Sequence, residues 1–190
     1  MRSAAWPAGE DLTLERAAGG DADAFDFLLR DRLPRLFRIA RAILRDDSSA
    51  RDVVQDACIH AWRELPRLRD PGAFDAWLSQ IVVNGCRSTL RRQRRVAVRE
   101  IMVDDVAALE ETHRSPLASP TLGDQVVAAE AVRRAFARVG VDDRALLVLH
   151  YVDDRPLAEI AATLRTPVGT VKWRLSRARH ALERALEAER

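Results

Sequence analysis

Lysine is almost missing from this sequence: of its 31 basic residues only Lys172 is not arginine. Glycine and proline supply 8 residues each and aromatics 5% of the chain. Few turn formers and few ring side chains, set against abundant Ala, Leu and Arg, disfavour a sheet protein and predict an all-α chain with short connections. Cysteine is scarce too. Cys58 and Cys86 have no CxxC partner and no histidine cluster nearby, which argues against a disulfide framework and a zinc site and leaves buried free thiols. No segment approaches the apolar length of a membrane span. The opening residues, which include Glu10, Asp11 and Glu15, lack the apolar run of a signal peptide, so a cytoplasmic chain without membrane insertion is expected. Catalysis is disfavoured as well. His60, His113, His150 and His180 are scattered, and the acidic pairs Asp104-Asp105, Asp142-Asp143 and Asp153-Asp154 fall in linker or helix-start positions. With no phosphate-binding glycine loop and no nucleophile motif, neither an enzyme nor a cofactor or metal is expected.

What is present is charge in blocks. The formal net charge is only +2, yet Arg87 to Arg99 holds six arginines and no acid, and Glu100 to Asp124 holds six acids against Arg114. From Arg165 to Arg190 seven bases outweigh three acids. Two basic blocks flanking an acidic one are the footprint of a polyanion binder.

Apolar spacings of three and four run from Ala24 to Leu44 through Phe25, Leu28, Leu29, Leu33, Leu36, Phe37, Ala40, Ile43 and Leu44. Pro34 divides this stripe into two helices, the second starting near it. Ser49 followed by Asp52 reads as the capping signal of a helix to about Leu65, with Val54, Ala57, Cys58, Ala61, Trp62 and Leu65 inward and Asp52, Gln55, Asp56 and Arg63 outward. Past Pro66 and Pro71-Gly72, a long helix from about Ala73 to Arg95 buries Phe74, Trp77, Leu78, Ile81, Val82 and Leu90 and ends almost in bare arginine. Periodicity then fades. The expected organisation is an N-terminal extension (1–21), a first lobe (22–95), an acidic linker (96–124) and a second lobe (125–188). The second lobe begins with Val126, Val127, Ala131, Val132, Ala135 and Phe136, followed by a helix opened by Asp142. It closes with helices Leu157 to Leu164 and Val168 to about Ala188 across the turn Arg165-Thr166-Pro167, a helix-turn-helix layout. In the last helix Val168, Val171, Leu175, Ala178 and Leu182 make the packing wall, while Lys172, Trp173, Arg174, Arg177 and Arg179 lie largely outside it. Arginine there suits bidentate contact to guanine and anchoring of phosphates.

The residues Leu157-Ala158-Glu159-Ile160-Ala161, Pro167-Val168-Gly169-Thr170-Val171-Lys172 and Arg174-Leu175-Ser176-Arg177-Ala178-Arg179 resemble region 4 of extracytoplasmic-function sigma factors. Asp52-Val53-Val54-Gln55-Asp56-Ala57 with Ala61-Trp62, then Pro71, Phe74, Trp77-Leu78 and Asn84, resemble region 2 of the same family. The resemblance implies a protein that binds bacterial core RNA polymerase through Asp52, Gln55 and Asp56 and directs it to promoter DNA. It implies capture of the melted −10 element, with Asn84, Arg87, Arg91 and Arg92 as contacts. It implies reading of the −35 duplex by Thr170, Lys172, Trp173, Arg174, Arg177 and Arg179, and restraint by an anti-sigma factor. The linker acids Asp104, Asp105, Glu110 and Glu111 would suit a path through the polymerase. Three positions depart from the family pattern: Arg165 stands for a turn glycine, Trp173 for a small polar residue and Ser88 for an aspartate.

Overall fold

The computed structural model describes residues 10–101 and 123–188; the linker acids and the ends of the chain lie outside these. The described residues form helices and no strand: α1 (Glu10–Ala18), α2 (Ala22–Arg30), α3 (Leu33–Leu44), α4 (Asp47–Glu64), α5 (Phe74–Ile101), α6 (Gly123–Arg138), α7 (Val141–Leu147), α8 (Leu157–Leu164) and α9 (Val168–Glu187). Single 3₁₀ turns at Leu65–Arg67 and Pro71–Ala73 join α4 to α5, and a π turn at Val148–Val152 follows α7.

Pro34 lies in the first turn of α3, where its missing N–H costs no helical bond. The cap of α4 differs from expectation. Asp46, not Ser49, is the N-cap, and its carboxylate accepts the Ser49 N–H at 2.7 Å, so Ser49 and Asp52 belong to the helix itself. Helix α5 runs on to Ile101, past the expected end at Arg95, because nothing in Val96-Ala97-Val98 breaks a helix. Helix α7 starts at Val141 after Gly140, which supplies no side-chain cap, so Asp142 and Asp143 occupy the first turn rather than the capping position. There they still favour the positive end of the helix.

The first half of the chain packs α3, α4 and α5 around Leu36, Ile39, Ile43, Val54, Ala57, Ala61, Phe74, Leu78 and Val82, all buried. Val53, Val83 and Cys86 are buried with them. Helices α4 and α5 touch closely at Gly85, where an added Cβ would lie 2.9 Å from Val53 Cγ1. In the second half, α9 packs on α6, α7 and α8 through Val171, Leu175 and Ala178. Val132 of α6 is 47% exposed.

One hydrophobic cluster runs through both halves, taking in Ala145, Leu146, Val148, Leu149, Ile160 and Val171 beside the core of α1–α5. Polar contacts cross the same seam. Arg35 donates to both oxygens of Asp153 at 2.6 and 2.7 Å, and that carboxylate's side chain is 1% exposed. Arg155, also buried, donates to Asp153 at 2.8 Å, to Ser79 Oγ at 3.1 Å and to the Asp75 carbonyl at 3.3 Å. Arg144 reaches the Ile43 carbonyl at 2.8 Å. Burial lowers the pKa of Arg155, with Arg35 adding to the effect and Asp153 opposing it. Arg35, Asp153 and Arg155 are paired with one another, the condition under which buried ions are tolerated.

Candidate nucleic-acid interface

Helix α4 turns Val53, Val54, Ala57 and Ala61 inward, which leaves Asp52, Gln55 and Asp56 exposed together on its outer face. Ile59, 44% exposed, extends that face by one turn and was not singled out from the sequence. Its signal was an apolar residue outside the inward stripe.

Between α4 and α5 lies an open cleft of about 560 Å³ with Val53, Ala57, Ile81 and Gly85 at its base and Asp56, His60, Asn84 and Arg92 on its walls. One residue of the expected polymerase face, Asp56, and two of the expected −10 contacts, Asn84 and Arg92, therefore line one cleft, while Asp52 and Gln55 lie outside it. Arg87 and Arg91 do not join them. The spacing Asn84-Ser88-Arg92 follows one line of the helix, whereas Arg87-Arg91 follows another, turned toward the second half of the chain. Arg87 sits 2.7 Å from Asp142, with only 16% of its side chain exposed, and burial lowers its pKa against the opposing pull of Asp142. It stays charged at neutral pH. Phe74 is fully buried and tilted against the half-buried Trp77 at 5.9 Å between ring centres, so it belongs to the core.

The helix-turn-helix is formed as its spacing required. Helix α8 ends at Arg165 in the left-handed conformation (φ 49°), where the Thr166 N–H returns to the Ala161 carbonyl at 2.9 Å. Arginine there, in place of glycine, costs about 1 kcal/mol. Helix α9 buries Val171 and Ala178 and leaves Thr170, Lys172, Trp173, Arg177 and Arg179 exposed. Trp173 is 61% exposed, with the Arg177 guanidinium 4.9 Å from its ring centre. Arg177 also donates to both oxygens of Asp143, at 3.0 and 3.1 Å, and Arg174 lies 3.9 Å from the same carboxylate. Arg179 lies 3.6 Å from Glu183 one turn on. Thus α9 presents a basic, ring-bearing wall, with two of its arginines drawn onto Asp143.

The Sigma-70 region 2 profile matches residues 28–96 and the Sigma-70 region 4 profile residues 129–182. The ECF RNA polymerase sigma factor SigM of Mycobacterium tuberculosis (strain H37Rv) is 38% identical over 167 residues, spanning 88% of this chain and 79% of its own. The chain belongs to the ECF sigma factors. The RNA polymerase sigma-H factor of Pseudomonas aeruginosa is 31% identical over 179 residues, covering 92% of both chains. The sigma factor RpoE of Bartonella quintana, solved in complex with the anti-sigma factor NepR, superposes with a TM-score of 0.62 at 26% identity, over 87% of this chain and 98% of its own. As an ECF sigma factor the chain serves promoter-specific transcription initiation and is a regulatory DNA-binding protein rather than an enzyme. Among the described residues no helix is long and apolar enough to cross a membrane, and no group of histidine, cysteine and carboxylate side chains is placed to hold a metal ion.

Proposed function

We propose that this ECF sigma factor works in the cytoplasm with three surfaces. Asp52, Gln55 and Asp56, with Ile59 beside them, bind core RNA polymerase. Asn84, Arg87, Arg91 and Arg92 on α5 hold the melted −10 strand. Thr170, Lys172, Trp173, Arg174, Arg177 and Arg179 on α9 read the −35 duplex. Residues 22–95 and 125–188 are the two working lobes, joined by residues 96–124, and an anti-sigma factor is the natural restraint.

The observation that carries this reading is the cleft in which Asp56 of α4 shares the lining with Asn84 and Arg92 of α5. A carboxylate face suits arginines or lysines of a protein partner. An amide and a guanidinium about two turns apart on one side of α5 suit an unstacked base edge and its phosphate. On α9, arginine and lysine on one exposed side meet the donor and acceptor pattern of the major groove.

Charge reversal at Asp52 and Asp56 tests the first surface. Polymerase binding should weaken by at least tenfold, roughly 1.4 kcal/mol, while duplex binding is unchanged. Equal polymerase affinity would remove α4 from the account.

A further inference from the structure

Helix α9 exposes Thr170, Trp173 and Arg177 at spacings of three and four, so the three share one face. Trp173, 61% exposed, is the most exposed of the described tryptophan, tyrosine and phenylalanine rings. An indole left in water forgoes the stabilisation that its large apolar area gains on burial. This one stands in the second turn of α9, and the first turns of the second helix of a helix-turn-helix are those that reach base edges.

Its neighbour is held on two sides. The Arg177 guanidinium lies 4.9 Å from the Trp173 ring centre, and its Nη2 donates to both oxygens of Asp143 at 3.0 and 3.1 Å. Asp143 is a firm anchor: its side chain is only 16% exposed, and its helix, α7, packs directly on α9. The N–H groups of Nε and Nη1 are left for an acceptor outside the chain. A guanidinium ordered in this way loses little freedom when it meets O6 and N7 of a guanine. Successive base pairs are about 3.4 Å apart, so a ring beside a guanidinium that meets one base pair lies over the next. The apolar group that a base pair offers in the major groove is the C5 methyl of thymine.

We infer that Trp173 is a specificity-determining residue: its ring orients Arg177 toward a guanine and packs on the methyl group of a thymine at the neighbouring base pair. Asp143 is the positioning residue of the pair. The promoter element read by α9 therefore carries a 5-methylpyrimidine next to a guanine, on either strand. The inference rests on α9 reading duplex DNA, as proposed above.

The test uses holoenzyme assembled from the full chain and core RNA polymerase. Selection from promoter duplexes randomised over about 10 base pairs upstream, one helical turn, should yield a guanine with a thymine at an adjacent base pair. Replacing that thymine by deoxyuridine removes the methyl group alone and should weaken binding of the parent about fourfold, the weight of one buried methyl. Trp173→Ser should keep the guanine preference and bind the two duplexes equally, and Trp173→Phe, which restores a ring, should recover the difference. Absence of a thymine beside the guanine, equal affinity of the parent for the deoxyuridine duplex, or a Trp173→Ser variant that still discriminates overturns the inference. A Trp173→Ser variant that loses core polymerase while keeping the thymine preference assigns the ring to a protein contact and overturns it too. Arg177→Ala should lose the guanine preference. If Arg174→Ala and Arg177→Ala both select the parent's duplexes, α9 does not read the site and the proposed function fails with it. Loss of guanine in those variants together with indifference of the parent to the methyl group sinks the role of Trp173 alone.

Discussion

Gly85 fixes how closely α4 approaches α5, and this makes a sharp prediction. A methyl group at position 85 would lie 2.9 Å from Val53 Cγ1. Val53 is buried within α4 and, as a β-branched residue in a helix, has essentially one rotamer, so it cannot swing aside cheaply. Overpacking of this kind costs about 1–3 kcal/mol. Alanine in place of glycine returns about 1 kcal/mol of helix preference. Gly85→Ala alone should therefore be neutral to destabilising by about 2 kcal/mol. Val53→Ala removes two buried methyl groups and should cost about 2 kcal/mol. In that background the clash is gone and Gly85→Ala should stabilise by about 1 kcal/mol, a reversal of sign. The assay is urea unfolding of the four proteins of the cycle, with a coupling energy of about 1–3 kcal/mol expected. If Gly85→Ala stabilises both backgrounds alike, the close approach of α4 and α5 is refuted.

Three other outcomes follow. Cys86 is buried and its thiol is pushed up to about 12 by that burial, so at pH 8 a thiol reagent should leave it unmodified until the protein is unfolded. Cys58, half-buried and also raised by burial, should react slowly but before Cys86. Asp21 caps α2 by accepting the Ala24 N–H, which together with Arg16 holds its carboxyl below the ordinary value of 3.8. A depressed pKa gives stability that is present above the unfolded-state value and lost as pH falls through the folded one. The melting-temperature gap between the parent and Asp21→Ala should thus be largest near neutral pH and shrink below 3.8. Replacing Arg174 or Arg177 by alanine should weaken specific duplex binding by about 1–3 kcal/mol if the lost contact is bidentate to a base, measured by titration at fixed salt.

Much of this molecule was legible in its sequence because helical periodicity carries the core directly. Phe74, Leu78 and Val82 are buried at the spacings that predicted them, and the turn at Arg165-Thr166-Pro167 separates α8 from α9 as expected. The exposed acids of α4 were equally plain, since they lie opposite an apolar stripe. What periodicity cannot report is contact between distant parts of the chain. Arg35 and Asp153 are 118 positions apart, and Arg144 and Ile43 are 101 apart, so nothing local marks these arginines as buried rather than solvated. Nor could the sequence show that Arg87 and Arg91 line a cleft with the second half of the chain while Asn84 and Arg92 line another with α4. Capping failed for a different reason. Ser49-Asp52 and Asp46-Ser49 are both acceptable local solutions, and choosing between them requires knowing where α3 ends, at left-handed Arg45.

The account turns on partnership with core RNA polymerase, and size-exclusion chromatography of the purified chain with core enzyme free of other sigma factors tests it most directly. Moderate salt removes simple charge adhesion between the two proteins. The account predicts a stoichiometric complex that the charge-reversed Asp52 and Asp56 variant fails to form. Clean separation of the folded parent chain from core enzyme would contradict it and leave a DNA-binding protein acting without polymerase.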